Sequence, residues 1–98
     1  VFPEVGQIVD IVQGYVPKFQ LITKRLGEAN ARRTVEIVEM KYIGSGLYEI
    51  WVVPIHNIFK LDPVPLTIEP GCIELNIAAT WRKWHEKWEE NQYVSTNK

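Results

Sequence analysis

Ninety-eight residues, 46% hydrophobic and 23% charged, are expected to form a single domain over 1–98 that buries a real core with little stability to spare. This composition excludes disorder for most of the chain. The formal net charge of −1 lacks the strong basic excess of a general nucleic-acid binder. No apolar run approaches the ~18 residues that a membrane span requires.

The first strong element is a strand over Gln7 to Val12, rich in β-branched residues and ended by Gln13-Gly14. Pro17 then makes Tyr15-Val16-Pro17 loop or edge backbone. Residues 18 to 33 carry two patterns. Phe19, Leu21 and Thr23 alternate as in a strand, whereas Phe19, Ile22, Leu26 and Ala29 follow helical spacing. Gly27 and Asn30 weigh against a long helix, so a strand over about 18–24 is expected, followed by a polar loop through Glu28 to Ala31.

The centre is clearer. Thr34 to Ile43 and Leu47 to Val53 flank Gly44-Ser45-Gly46, which predicts one antiparallel hairpin. On its first arm Val35 and Ile37 alternate with Glu36. The phase then slips, so that Val38, Met40 and Tyr42 alternate with Glu39 and Lys41, as an inserted bulge residue would cause. Both faces of the second arm carry bulk, which belongs to a sandwich, a barrel or a sheet covered by a helix. Pro54 ends that arm, and Ile55 to Leu61 is expected to add a short strand closed by Asp62-Pro63-Val64-Pro65. Leu66 to Glu69 and Ile73 to Ile77 flank a turn at Pro70-Gly71.

A helix over 80–92 is predicted next, with Thr80 as its N-cap and a frayed tail over 94–98. Trp81, Trp84 and Trp88 stand three and four apart, which places them on one side of that helix. Trp81 directly follows the last strand and is assigned to the core. Trp88, flanked by Glu86, Lys87, Glu89 and Glu90, is the candidate for a partner surface. The fold class is therefore α+β and β-rich. A twisted antiparallel sheet or partly closed small barrel of five to seven strands, over 5–77, carries a C-terminal helix.

Few constellations carry chemistry. His56, Cys72, His85 and Glu89 match no zinc spacing, and no second histidine completes a His-Glu-x-x-His site at 85–86. No metal or other cofactor is expected. Cys72 is the only cysteine, so no intrachain disulfide forms. A lone thiol fits a reducing, cytoplasmic setting. It precedes an apolar strand, where a small buried thiol is common, and it has no matched base. The carboxylate pairs Glu36 with Glu39 and Glu89 with Glu90 sit among solvated charges. Gly44-Ser45-Gly46 is too short for a phosphate loop and leads into a strand where a helix would be required. An enzyme is not expected.

Two binding readings remain. The first is a protein-interaction or assembly module, binding another protein or itself through exposed aromatic surface at Tyr42, Tyr48 and Trp51 or at Trp84 and Trp88. The second is a nucleic-acid-binding small barrel, which would use Lys18, Lys24, Arg25, Arg32 and Arg33 for charge and Tyr15 and Phe19 for stacking.

Val5-Gly6-Gln7-Ile8-Val9-Asp10-Ile11-Val12-Gln13-Gly14-Tyr15 resembles the first strand and loop of SH3-like small barrels of the KOW and Tudor kind. The hairpin and the segment ending Ile58-Phe59-Lys60-Leu61 fit the same architecture, over about residues 5–62. The segment 17–33 is long for such a module, and 63–98 have no counterpart in a minimal barrel. The resemblance implies a binding module and assigns no functional residue.

Overall fold

The computed structural model describes residues 2–19, 30–31 and 33–96, with 30–31 and 87–96 described by backbone alone. Its main body is an antiparallel five-stranded sheet built from β1 (Ile8–Ile11), β4 (Thr34–Gly44), β5 (Leu47–Pro54), β6 (Val64–Ile68) and β7 (Ile73–Leu75), in the order β6-β5-β4-β1-β7. Between β1 and β4, β2 (Lys18–Phe19) and β3 (Asn30–Ala31) form a separate two-stranded ladder. A 3-10 turn at Pro70–Cys72 leads into β7, and α1 (Ile77–Thr96) follows. The chain is thus α+β and β-rich, and the sheet does not close.

The hairpin forms where its glycines demand. Ser45 and Gly46, between the arms, have φ of 55° and 75°, the paired left-handed conformation of a two-residue loop that follows the twist of its strands. One register shift falls between Ile37 and Glu39, so Val38 is the extra residue behind the phase slip.

Alternation decides the core. Val9 and Ile11, Val35 and Ile37, Ile50 and Val52, Leu66 and Ile68, and Ile73 all bury into one cluster with Phe19. These residues include both outer strands, β6 and β7, so the sheet curls until its two edges share one interior. A gap of about 210 Å³ persists between them, lined by Gln13 to Tyr15, by Pro65 to Ile68 and by Cys72. Both edges are blunted against pairing with another sheet. Pro65 interrupts β6, and β7 is only three residues long.

Several sequence expectations are corrected here. Residues 55–61 form a loop and not a strand, because the Asn57 side chain bonds both the N–H and the carbonyl of Leu61 and closes the chain on itself. His56 and Lys60 adopt left-handed φ there, which no strand tolerates. Asn30 and Ala31 belong to a ladder with β2, where a loop was expected. The strand expected over 18–24 is seen at Lys18 and Phe19, and its remainder lies outside the described residues.

The helix starts earlier than expected. Asn76 is its cap: its side-chain oxygen accepts the Ala79 N–H at 3.0 Å. Thr80 therefore lies inside the first turn, where it is buried, and does different work. Its hydroxyl accepts the Ile8 N–H at 2.9 Å and donates to the Ile8 carbonyl at 3.2 Å. That carbonyl also accepts the Asn76 N–H at 2.9 Å. One turn on, Lys83 pairs with Glu36 of β4. The helix is thus pinned over the sheet face opposite the core, through Asn76, Thr80 and Lys83.

Candidate functional site

Asn76, Thr80 and Lys83 recur at intervals of four and three, so they share one side of α1. Ile77, Trp81 and Trp84 follow the same intervals one residue later. They form a parallel row rotated by about 100° around the helix, the turn per residue. The polar row meets the sheet, and the apolar row does not. Ile77 is 72% exposed, Trp81 66% and Trp84 47%. Helical spacing continues this row to position 88, among the residues described by backbone alone.

The assignment of Trp81 to the core is overturned. The reason is that the curled sheet and Phe19 complete the core without the helix. Trp81 instead stacks on His85 of the next turn, with ring centroids 6.0 Å apart and planes 21° from parallel. Trp84 has one side covered: its Nε1 comes within 3.8 Å of where a Cβ at Gly6 would stand. The other side faces solvent. Val5, next to Gly6 in the chain, is half exposed.

The two indoles leave on the order of 300 Å² uncovered, given their exposure and the ~250 Å² that a tryptophan can bury. With Ile77 the patch reaches the size that is often functional on a monomer. Leu75, at the end of β7 immediately before the helix, is also exposed. Sequence reasoning passed over Ile77, because the helix was expected to begin three residues later.

The other proposed contact residues lie elsewhere. Tyr42 and Tyr48 face each other across the hairpin end, with ring centroids 5.1 Å apart. The Tyr42 hydroxyl accepts the Gly46 N–H at 3.1 Å, which ties this ring to the turn. Tyr48 packs partly on the core. Trp51 stands on the other face of β5, half-buried between Glu39 and Pro65 on the neighbouring strands. These three residues are accounted for by cross-strand packing. Only Tyr42 among them is strongly exposed.

Of the residues named for nucleic acid, Tyr15 and Lys18 are exposed, as is Arg33, whose guanidinium donates to the Ile11 carbonyl. Phe19 is 3% exposed and belongs to the core, so its ring has no face to offer a base. Lys24, Arg25 and Arg32 lie outside the described residues.

A cleft of about 280 Å³ separates the helix from the loop after β5. Glu36, His56, Asn57, Arg82, Lys83 and Glu86 contribute to its walls. The Lys83–Glu36 pair lies in it and satisfies its own charges. Among the described residues no group of three or more His, Cys, Asp or Glu side chains is placed to hold a metal ion. Cys72 is a half-buried free thiol, and its carbonyl accepts the N–H groups of Val12 and Gln13. Among the described residues no helix is long and apolar enough to cross a membrane.

No family model matches this chain, and no curated protein or solved structure is significantly similar to it.

Proposed function

We propose that the chain is a non-enzymatic protein-interaction module, an SH3-like small barrel whose C-terminal helix presents a tryptophan row to a protein partner. One observation carries this reading: Ile77, Trp81 and Trp84 stand exposed on one side of a helix whose attachment to the sheet uses a different side. Exposing two indoles costs solvation free energy and serves nothing in the fold. Tryptophan is also the residue most enriched where interfaces concentrate their binding energy. A sheet curled around a single core, with an opening between its edges, supports the small-barrel likeness. The lone Cys72 is in keeping with a reducing, cytoplasmic setting.

Site-specific photocrosslinking tests the reading. A benzophenone amino acid at position 77 should yield protein adducts, both in the purified chain and in extract of the native source. Control positions at exposed Lys41 or Asp62, away from the helix, should yield few. Equal adduct yields at 77 and at the controls would refute a dedicated contact row. The nucleic-acid alternative predicts instead that the chain retains single strands at low salt and loses them steeply as salt rises.

A further inference from the structure

We infer that the cleft between α1 and the loop after β5 is a second binding site, and that it takes a small zwitterion of the α-amino-acid class with a short apolar side chain. Its volume of about 280 Å³ stands at the small end of the ~300–1,000 Å³ usual for ligand pockets. The site is separate from the tryptophan row. At ~100° per residue, Arg82 and Glu86 lie roughly 140° and 180° around the helix from Ile77.

The groups left spare in the cleft decide the ligand. Lys83 is taken by Glu36, and the Asn57 amide is taken by both backbone groups of Leu61. His56, Arg82 and Glu86 line the cleft as well and are exposed. Their side chains form no hydrogen bond or ion pair with another described residue. An arginine and a glutamate four apart on a helix are within reach of each other. These two do not close on each other, so both charges stay available.

The spare groups therefore amount to one cation and one anion a helical turn apart, with an imidazole across from them. A simple anion or a simple cation would be attracted by one and repelled by the other. A zwitterion satisfies both, its carboxylate on the Arg82 fork and the His56 ring, its ammonium on Glu86. An α-amino acid carries these two heads on one carbon, so both are reached from within one turn. Ile8, Ile55 and Ala79, buried or half-buried, supply the apolar part of the wall for a short side chain.

The wall opposite the helix is preset. The Ile58 N–H donates to the His56 carbonyl at 2.5 Å, and together with the Asn57 bridge this holds His56 at φ 54°. A ligand thus meets a loop that is already ordered, which lowers the entropic cost of binding. The charged groups are exposed and screened by solvent, so affinity is expected in the millimolar range.

Heteronuclear NMR titration of the purified, isotope-labelled chain tests this, with L-leucine, N-acetylleucine and leucinamide as probes. Low salt and about pH 6.5 keep the free α-amino and α-carboxyl heads of the probes charged. Leucine should move the backbone amides of 8, 55–57 and 79–86 together and saturate in the millimolar range. Blocking either head should weaken binding about fivefold, the scale of one exposed charge-assisted contact. Arg82→Gln should weaken leucine by a similar factor and leave the residual binding of leucinamide, which has no carboxylate, unchanged. Glu86→Gln should weaken leucine likewise and leave N-acetylleucine unchanged. Both variants should unfold thermally like wild type, because both side chains are exposed.

Shifts that stay linear to about 50 mM, or that fall outside this set of residues, would overturn the site. Equal affinity for leucine and either blocked form would overturn the zwitterion as its ligand. Variants that bind leucine as wild type does would remove Arg82 and Glu86 as the groups that hold it.

Discussion

Ile50→Ala is expected to lower the free energy of unfolding by about 2–5 kcal/mol, the cost of truncating a buried isoleucine into a cavity. Ile50 is fully buried in the middle of β5, the strand flanked by β4 and β6, with Met40 and Leu66 as its cross-strand partners. Among the described residues no helix lies on this face of the sheet, and the interior is made by the curled strands and Phe19, with Phe2, Val16, Leu61 and Cys72 packed against it. Neighbouring side chains are held in their own ladders and cannot collapse far into the void. A domain of this length has only about 5–15 kcal/mol in hand, so the variant should be near the edge of stability. Urea unfolding checks it. A loss below about 1 kcal/mol would mean the curled interior is not the core.

Phe19→Ala should cost about 3–5 kcal/mol, the usual range for a large aromatic core residue. Among the described residues Phe19 is the member of the core cluster contributed by the segment between β1 and β4, and it closes the interior from a two-residue strand that pairs with β3. Removing the ring should loosen this ladder and open the core together. Equilibrium unfolding followed by both tryptophan fluorescence and circular dichroism checks the effect. A role in base stacking predicts the opposite pattern, with stability retained and nucleic-acid retention lost.

Much of the sheet was legible because it depends on local rules. The alternation of Val35 and Ile37, the slip at Val38 and the glycines around Ser45 each have one favoured backbone solution, and the hairpin follows from them. The loop at 55–61 was not legible, because a side-chain bridge from Asn57 to Leu61 overrides the β-propensity of Ile55 and Ile58. The helix was legible in kind, but not in how it docks. An apolar row at helical spacing was assigned in part to the core, on the rule that amphipathic helices bury their apolar side.

That rule yields here because three polar groups attach the helix. The signal was present in the sequence: Asn76, Thr80 and Lys83 repeat at the same intervals as the indoles, one residue earlier. What the sequence could not convey is that β1 would leave the N–H and carbonyl of Ile8 available to the Thr80 hydroxyl. Without that knowledge, position 80 reads as a cap and position 81 as core. The same shift moved the contact surface. Tyr48 and Trp51 are partly used by the sheet, and the strongest exposed aromatic surface begins at Ile77 and Trp81.

The central claim is that the exposed side chains of Ile77 and Trp81 are surplus to the fold. Urea unfolding of Trp81→Ala, measured below 1 μM so that association does not contribute, tests it most directly. A ring 66% exposed, touching mainly its own helix, should cost no more than about 0.5 kcal/mol on truncation, as surface substitutions do. A loss of about 3–5 kcal/mol, the signature of an emptied core site, would contradict the account and return the row to the interior.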